Sequence, residues 1–249
     1  EQGIRNNSEV IAAQNYLSAS QQYQYAALLL PWRGDLLEKA GISAYAGGNY
    51  SDAINFLNHA PKLTEQGWIA MGHSYISMND LTSALRVYQQ GLQFHDSAYL
   101  YAGLAYIYRE QKDWLAERDA LKNQLRLDPS NANAHYRLGL LLTILEPEQA
   151  LSELMVASSL NPEVDSAVQT LRAALNLSAI EPDPSLQMLT IGRALGLVRE
   201  WDLSIAAFEK ATQFNAENAE AWAWLGEAKQ QSGQDGSEEL DRALSLDHT

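Results

Sequence analysis

The stretch GWIAMGHSYISM, residues 67–78, holds the residue types in this chain that most resemble catalytic machinery. Ser74 stands two residues after Gly72, as the nucleophilic serine of a hydrolase does in the G-x-S-x-G turn between a strand and a helix. The second glycine of that turn is missing, because position 76 is Ile76. Apolar residues also recur in the stretch at helical spacing, which places it inside a helix. We therefore expect Ser74 to lie on an ordinary helix surface and not to act as a nucleophile.

No other group of residues has the spacing that enzyme chemistry requires. The five histidines do not form H-E-x-x-H or another metal-ligand pattern. The chain has no cysteine, which excludes thiolate catalysis and cysteine-based zinc sites. Neither G-x-x-x-x-G-K-[ST] nor G-x-G-x-x-G occurs, so no phosphate-binding loop is predicted. The sequence therefore indicates a protein without catalytic residues, metal ligands or a cofactor.

The charge and hydropathy of the chain restrict its partners. Acidic residues number 31 against 17 basic ones, which gives a net charge of −14. Such a chain does not neutralise phosphates, so we expect no nucleic acid partner, and a basic or neutral protein or peptide fits better. No apolar run approaches the ~18 residues of a membrane span, so direct membrane insertion is not expected. Because the chain starts at Glu1, a soluble segment of a larger protein, cytoplasmic or extracytoplasmic and with or without a membrane tether, stays open.

Seven blocks of eight residues share one apolar pattern. Each opens on a bulky or apolar residue, carries Leu, Ile, Met or Ala at the fourth position, and mostly has Gly or Ala at the fifth. The blocks are 37–44, 68–75, 101–108, 135–142, 168–175, 188–195 and 222–229. Positions i, i+3, i+4 and i+7 share one face of a helix. The small fifth residue allows a second helix to approach closely, so we expect the blocks to begin helix pairs, except for 168–175, which no second helix follows.

A second set of helical segments follows these blocks. They are 51–60, 82–91, 115–124, 148–157 and 202–211. Turn residues such as Gly47-Gly48 separate the two helices, and prolines such as Pro61 and Pro129 stop the second one, because proline lacks the amide donor and clashes with the preceding turn. No segment alternates as a strand does, so the sequence predicts an all-α fold.

This pattern resembles the tetratricopeptide repeat (TPR), in which W-x2-L-G-x2-Y, A-x3-F and P recur every 34 residues. The best match consists of Trp68, Met71, Gly72, Tyr75, Ala84 and Tyr88. The resemblance covers about residues 10–249. It implies a right-handed superhelical α-solenoid of stacked antiparallel helix pairs, which serves protein–protein interaction and not catalysis.

The repeat frame predicts one continuous solenoid with three segments. The N-terminal array, 1–164, starts with a stretch that resembles a second helix and continues with repeats near 34–64, 65–97, 98–131 and 132–164. An irregular single helix and the linker EPDP occupy 165–184, and a C-terminal pair of repeats follows at 185–218 and 219–249. Neither end carries a polar capping helix of the kind that repeat arrays use.

In this family the first helix of each repeat lines a concave groove, mainly with the side chains at its second, fifth, ninth and twelfth places. The proposed binding residues at these places are His73, Tyr99, Tyr106, Arg109, Asn133, Tyr136 and Arg193. Tyrosine and arginine are common at binding hot spots, and Arg109 could hold a carboxylate in a fork of two hydrogen bonds. The alternative is that the tyrosines only pack against neighbouring helices. The same places also direct Glu38, Leu140, Thr143 and Leu189 toward the groove.

Two functions follow from this frame. The first is a non-enzymatic scaffold that binds a peptide or protein segment in the concave groove. The alternative is an assembly module that oligomerises or stacks through its uncapped ends. The chaperone-binding members of the family hold a C-terminal carboxylate with lysines and asparagine at the fifth and ninth places. This chain has neither residue there, so a co-chaperone role is not expected.

Overall fold

The computed structural model describes the backbone of residues 2–247 and the side chains of residues 9–247. Within that part of the chain every regular element is helical, which confirms the predicted all-α class. The helices are α1 (Gln2–Leu29), α2 (Asp35–Ala46), α3 (Tyr50–His59), α4 (Glu65–Ser77), α5 (Leu81–Leu92), α6 (Ala98–Glu110), α7 (Trp114–Leu127), α8 (Ala132–Leu145), α9 (Pro147–Leu160), α10 (Asp165–Ser178), α11 (Pro184–Leu197), α12 (Trp201–Phe214), α13 (Ala219–Gln231) and α14 (Ser237–Asp247).

The helices form two compact units, Glu1–Leu127 and Asp128–Thr249. In the first unit α2 pairs with α3, α4 with α5 and α6 with α7, while the long helix α1 lies along α2. In the second unit α8 pairs with α9, α11 with α12 and α13 with α14. Helix α10 has no such partner and packs between α9 and α11. Short turns join the helices of each pair, so the two helices run antiparallel.

Polar residues at the helix starts explain why the helices begin where they do. A side-chain oxygen of the residue before each of several helices accepts a hydrogen bond from a backbone N–H of the first turn. These residues are Asn49, Thr64, Asp80, Ser97, Asn131, Asp183 and Asn218. Each such cap stabilises its helix by about 1 kcal/mol, and together they set the register of successive pairs.

One turn conformation recurs between the two helices of a pair. Gly48, Asn79, Lys112, Arg199 and Gly233 all have a φ between 56° and 81°. A single left-handed residue after a helix lets the chain reverse within a few residues. Glycine and asparagine favour this conformation, whereas lysine and arginine do not, so sequence reasoning overlooked the turns at Lys112 and Arg199.

A bare glycine on the first helix receives a large side chain of the second. A Cβ atom on Gly72 would lie 2.3 Å from Cε1 of Tyr88, and one on Gly103 would lie 2.5 Å from Cζ of the same ring. The tyrosine of α5 is therefore held between α4 and α6. In the second unit a Cβ on Gly192 would lie 2.5 Å from the ring of Phe208. The small residue of the repeat is thus required by contact, as its spacing predicts.

The prediction that Ser74 lies on a helix surface is wrong. Its side chain is fully buried, and its hydroxyl donates a hydrogen bond to the carbonyl of Ala70 at 2.6 Å. Helix α4 contacts α2 and α6 as well as its own partner α5. The side of α4 that carries Ser74 is therefore buried as well. A serine suits that side because it is short and satisfies its hydroxyl within its own helix.

We expect Tyr88→Phe to leave the free energy of unfolding unchanged or raise it by up to about 1 kcal/mol, because the Tyr88 hydroxyl is buried without a hydrogen-bond partner. The matched control is Tyr45→Phe, which removes a hydroxyl that lies 3.0 Å from Nδ1 of His73 and should cost about 1 kcal/mol. Urea unfolding followed by circular dichroism measures both. A loss of stability in Tyr88→Phe as large as that in Tyr45→Phe would contradict the assignment.

Candidate functional site

Helix α6 presents two different faces in the first unit. Leu100, Leu104 and Ile107 are buried against neighbouring helices, whereas Tyr99 is 70% exposed and Tyr106 is 45% exposed. Residues seven apart on a helix lie on the same face, so the two tyrosines form one stripe. Arg109 is exposed and lies one turn beyond Tyr106. These three predicted residues are therefore brought together, and two aromatic rings and a guanidinium point away from the core.

His73 is less accessible than its predicted role implies. Its ring is half-buried, its Nδ1 lies 3.0 Å from the hydroxyl of Tyr45, and it meets the Tyr88 ring edge-on at 6.2 Å. Burial lowers the pKa of His73 because a protonated imidazole loses hydration there. When the ring is neutral with its proton on Nε2, Tyr45 donates to Nδ1. His73 therefore belongs to a packed aromatic cluster at the edge of the first-helix surface.

The remaining predicted residues lie in the second unit. Asn133 is exposed and Tyr136 is half-buried one turn later on α8. Burial and the nearby carboxylate of Glu200 raise the pKa of Tyr136. Arg193 projects from α11, pairs with Glu220, and lies 5.0 Å above the ring of Trp224.

Four of the places assigned to the groove prove to be buried. They are Glu38, Leu140, Thr143 and Leu189, none of which is more than 7% exposed. The Glu38 carboxylate instead accepts hydrogen bonds from the backbone N–H of Thr64 at 2.5 Å and from its hydroxyl at 2.7 Å. That contact holds the start of α4 against α2.

The burial of Leu140 and Thr143 has a cause in the packing of the second unit. Helix α8 contacts both α11 and α12 in addition to α9. Lys210 of α12 donates to the carbonyl of Ile144 at 2.6 Å, and Arg137 lies 3.4 Å from the Glu200 carboxylate. The face of α8 that a regular repeat would leave open is thus covered by the next pair.

The assignment of residues by their places in the repeat did not reveal a pocket next to Arg193. It has a volume of about 330 Å³ and lies between α11, α12 and α13. Trp201 and Trp224 form two of its walls. The signal in the sequence is the pair Gly192 and Gly196, four residues apart on one helix face. A Cβ on Gly196 would lie 3.2 Å from Cζ3 of Trp201 and 3.4 Å from Oγ of Ser204, so the second glycine lets Trp201 lie close to α11.

The described residues contain no group of three or more histidine, aspartate and glutamate side chains that could hold a metal ion. Nor is any helix within residues 2–247 both long and apolar enough to cross a membrane. The hydroxyl of Ser74, the residue that most resembled a nucleophile, is used in a backbone hydrogen bond.

The paired helices, the left-handed turns and the rings seated on glycines define a tetratricopeptide-repeat fold. Among solved structures, the chain is similar to YrrB, a TPR protein with an unusual peptide-binding site, at 22% identity over 79% of this chain and 91% of that one, with a TM-score of 0.40. It is similar to MamA at 17% identity over 74% and 92% of the two chains, with a TM-score of 0.48.

A third similar structure, the Cut9–Hcn1 hetero-tetramer of the APC/C, matches 93% of this chain but only 44% of its own, at 14% identity and a TM-score of 0.44. No protein-family model matches the sequence, and no curated protein matches it either. Because these identities are below 25% and these TM-scores below 0.5, the assignment to the repeat class is based on the helix pairs and turns of this chain.

We expect the stability contribution of His73 to depend on pH. Its pKa in the folded protein lies below that of an unfolded chain, so the native state binds fewer protons in this range. The contribution is therefore present above about pH 6.5 and is lost as the pH falls toward the folded pKa. Urea unfolding from about pH 8 to about pH 5 should show wild type losing stability relative to His73→Gln. A difference that stays constant across this range would contradict burial of a neutral imidazole.

Proposed function

We propose that this protein is a non-enzymatic scaffold that binds a segment of another protein on the exposed face of its first helices. The residues proposed to make the contacts are His73, Tyr99, Tyr106, Arg109, Asn133, Tyr136 and Arg193. The observation that carries this proposal is the stripe on α6, where Tyr99 is 70% exposed and Tyr106 is 45% exposed beside Arg109.

The chemistry of the stripe suits a peptide. A tyrosine ring buries apolar area when a partner covers it. Its hydroxyl still forms a hydrogen bond, so few polar atoms lose their hydrogen-bond partners. The Arg109 guanidinium can bond to a carbonyl or carboxylate through two N–H groups. With a net charge of −14 on the chain, long-range attraction favours a basic or neutral partner. The proposed contacts are therefore ring burial and directed hydrogen bonds, without any bond being made or broken.

The proposal is tested with a peptide selected on the wild-type protein from a random display library. We expect Tyr99→Ala/Tyr106→Ala to weaken its binding by at least about tenfold, since hot-spot tyrosines contribute more than 1 kcal/mol each. Fluorescence polarisation measures the dissociation constants, and circular dichroism verifies the fold.

The matched control is Tyr16→Ala/Phe94→Ala, which removes two aromatic side chains of similar exposure, 49% and 70%, outside the stripe. It should leave binding of the selected peptide unchanged. Equal losses in the two double variants would overturn the stripe as the binding surface. Peptides that bind equally well to wild type and to Tyr99→Ala/Tyr106→Ala would do the same.

A second candidate function, self-association, is favoured by one surface near the end of α1. Tyr25, Leu28, Leu29 and Trp32 are each between 67% and 77% exposed, within eight residues of one another. Contiguous exposed apolar side chains of this size are typical of interaction sites. A second copy of the chain could cover them, as the alternative assembly function requires.

We expect Leu28→Glu/Leu29→Glu to convert any dimer or higher oligomer of wild type into a monomer, because two carboxylates would be buried at the interface. Sedimentation velocity at about 100 μM, well above a micromolar dissociation constant, measures the state. The control, Leu177→Glu/Ile180→Glu, places the same charges on exposed positions at the end of α10 and in the turn that follows it. A wild type that is monomeric throughout rejects this second function and leaves the first untouched.

A further inference from the structure

The pocket in the second unit is lined mainly by aromatic rings. Trp201 and Phe208 of α12 and Trp224 of α13 line the space, which measures about 330 Å³. Gly192 and Gly196 of α11 allow Phe208 and Trp201 to lie close to that helix. A cavity of ~150 Å³ in a protein core is enough to hold a benzene ring, so this open pocket has room for one bulky side chain and part of the backbone that carries it.

The charged groups at the pocket are few and unevenly paired. Arg193 is bound to Glu220 and lies over the Trp224 ring, and its Nε is buried without a hydrogen-bond partner. Glu227 lines the pocket and is exposed. Its carboxylate accepts a hydrogen bond from Gln231 at 3.0 Å, and no cation in the described part of the chain pairs with it. Two carboxylates therefore stand beside one guanidinium that is already neutralised.

We propose that this pocket holds one bulky apolar side chain of the partner segment, phenylalanine, tryptophan or leucine, with a lysine or arginine next to it. The apolar side chain lies between the tryptophans, and the adjacent cation pairs with Glu227. This inference rests on the proposed scaffold function and specifies the partner that the second unit selects.

A basic segment fits this surface better than an acidic one. A carboxylate on the partner would meet Glu227 at close range, where like charges repel. The Arg193 guanidinium, which would otherwise attract it, already pairs with Glu220. A cation meets no such obstacle, and the net charge of −14 adds long-range attraction. The pocket thus binds an apolar side chain and distinguishes basic from acidic partner segments by the charge next to that side chain.

The experiment uses four short labelled peptides of glycine and serine that differ only at the centre. Three have a central phenylalanine flanked by lysines, by serines or by glutamates, and the fourth has a central alanine flanked by lysines. Fluorescence polarisation against the whole chain should rank the phenylalanine–lysine peptide first, by at least about tenfold over both the phenylalanine–glutamate and the alanine–lysine peptides. Equal binding of the phenylalanine–lysine and alanine–lysine peptides, or binding by none of the four, overturns the inference.

Two variants locate the binding. Glu227→Lys should reverse the ranking of the lysine and glutamate peptides, whereas Glu209→Lys, the same charge change at an exposed position of α12 outside the pocket, should preserve it. Trp224→Ala should remove the preference for phenylalanine over alanine. Circular dichroism confirms that each variant is folded. A ranking that both charge variants change equally would show that the peptides follow net charge and would overturn the pocket.

Failure of this inference is distinguishable from failure of the scaffold function. If the display-selected peptide still depends on Tyr99 and Tyr106 while the four probes show no dependence on Glu227 or Trp224, only the pocket is rejected. If the four probes behave as expected but Tyr99→Ala/Tyr106→Ala binds its selected peptide normally, the stripe is rejected and the pocket stands.

Discussion

The structure depends on one constraint, which is that a side chain of the second helix must fit against a position of the first helix that has no side chain. Tyr88 shows it best, because its ring lies between Gly72 of α4 and Gly103 of α6. One ring therefore determines both the distance within a pair and the distance to the next pair. The contacts are individually small dispersion attractions that sum over a fully buried ring. Because the ring is in close contact with both glycines, α4 and α6 have little freedom to rotate about their axes.

That constraint also determines which residues remain on the surface. Gly103 lies on the same side of α6 as Tyr99 and Tyr106, four residues after the first and three before the second. The Tyr88 ring therefore packs against α6 at the edge of the stripe, and the two tyrosines beside it stay exposed. A side chain at Gly103 would meet the Tyr88 ring and shift α6, and the stripe would move with the helix.

The repeat spacing predicted the helix pairs, the turn at Gly48 and the close approach at Gly72, because each of these depends on residues near one another in sequence. It did not predict the burial of Glu38 or Leu140. Assigning faces by repeat place assumes that each first helix has the same neighbours, whereas α8 contacts α11 and α12 as well as its partner. The identity of those neighbours depends on the placement of α10, which the repeat pattern describes only as a helix without a partner.

The sequence likewise predicted Arg193 as a binding residue but did not predict the pocket beside it, because that pocket forms only where α11, α12 and α13 meet. The Nε of Arg193 is buried without a hydrogen-bond partner, and desolvation lowers the pKa of this residue. A cation in that position is tolerated because Glu220 pairs with it and the face of Trp224 attracts it. The same two contacts reduce the attraction of the guanidinium for an acidic partner. A ligand at this pocket meets two tryptophan side chains and the Glu227 carboxylate, so the proposed preference for a basic partner depends on Glu227.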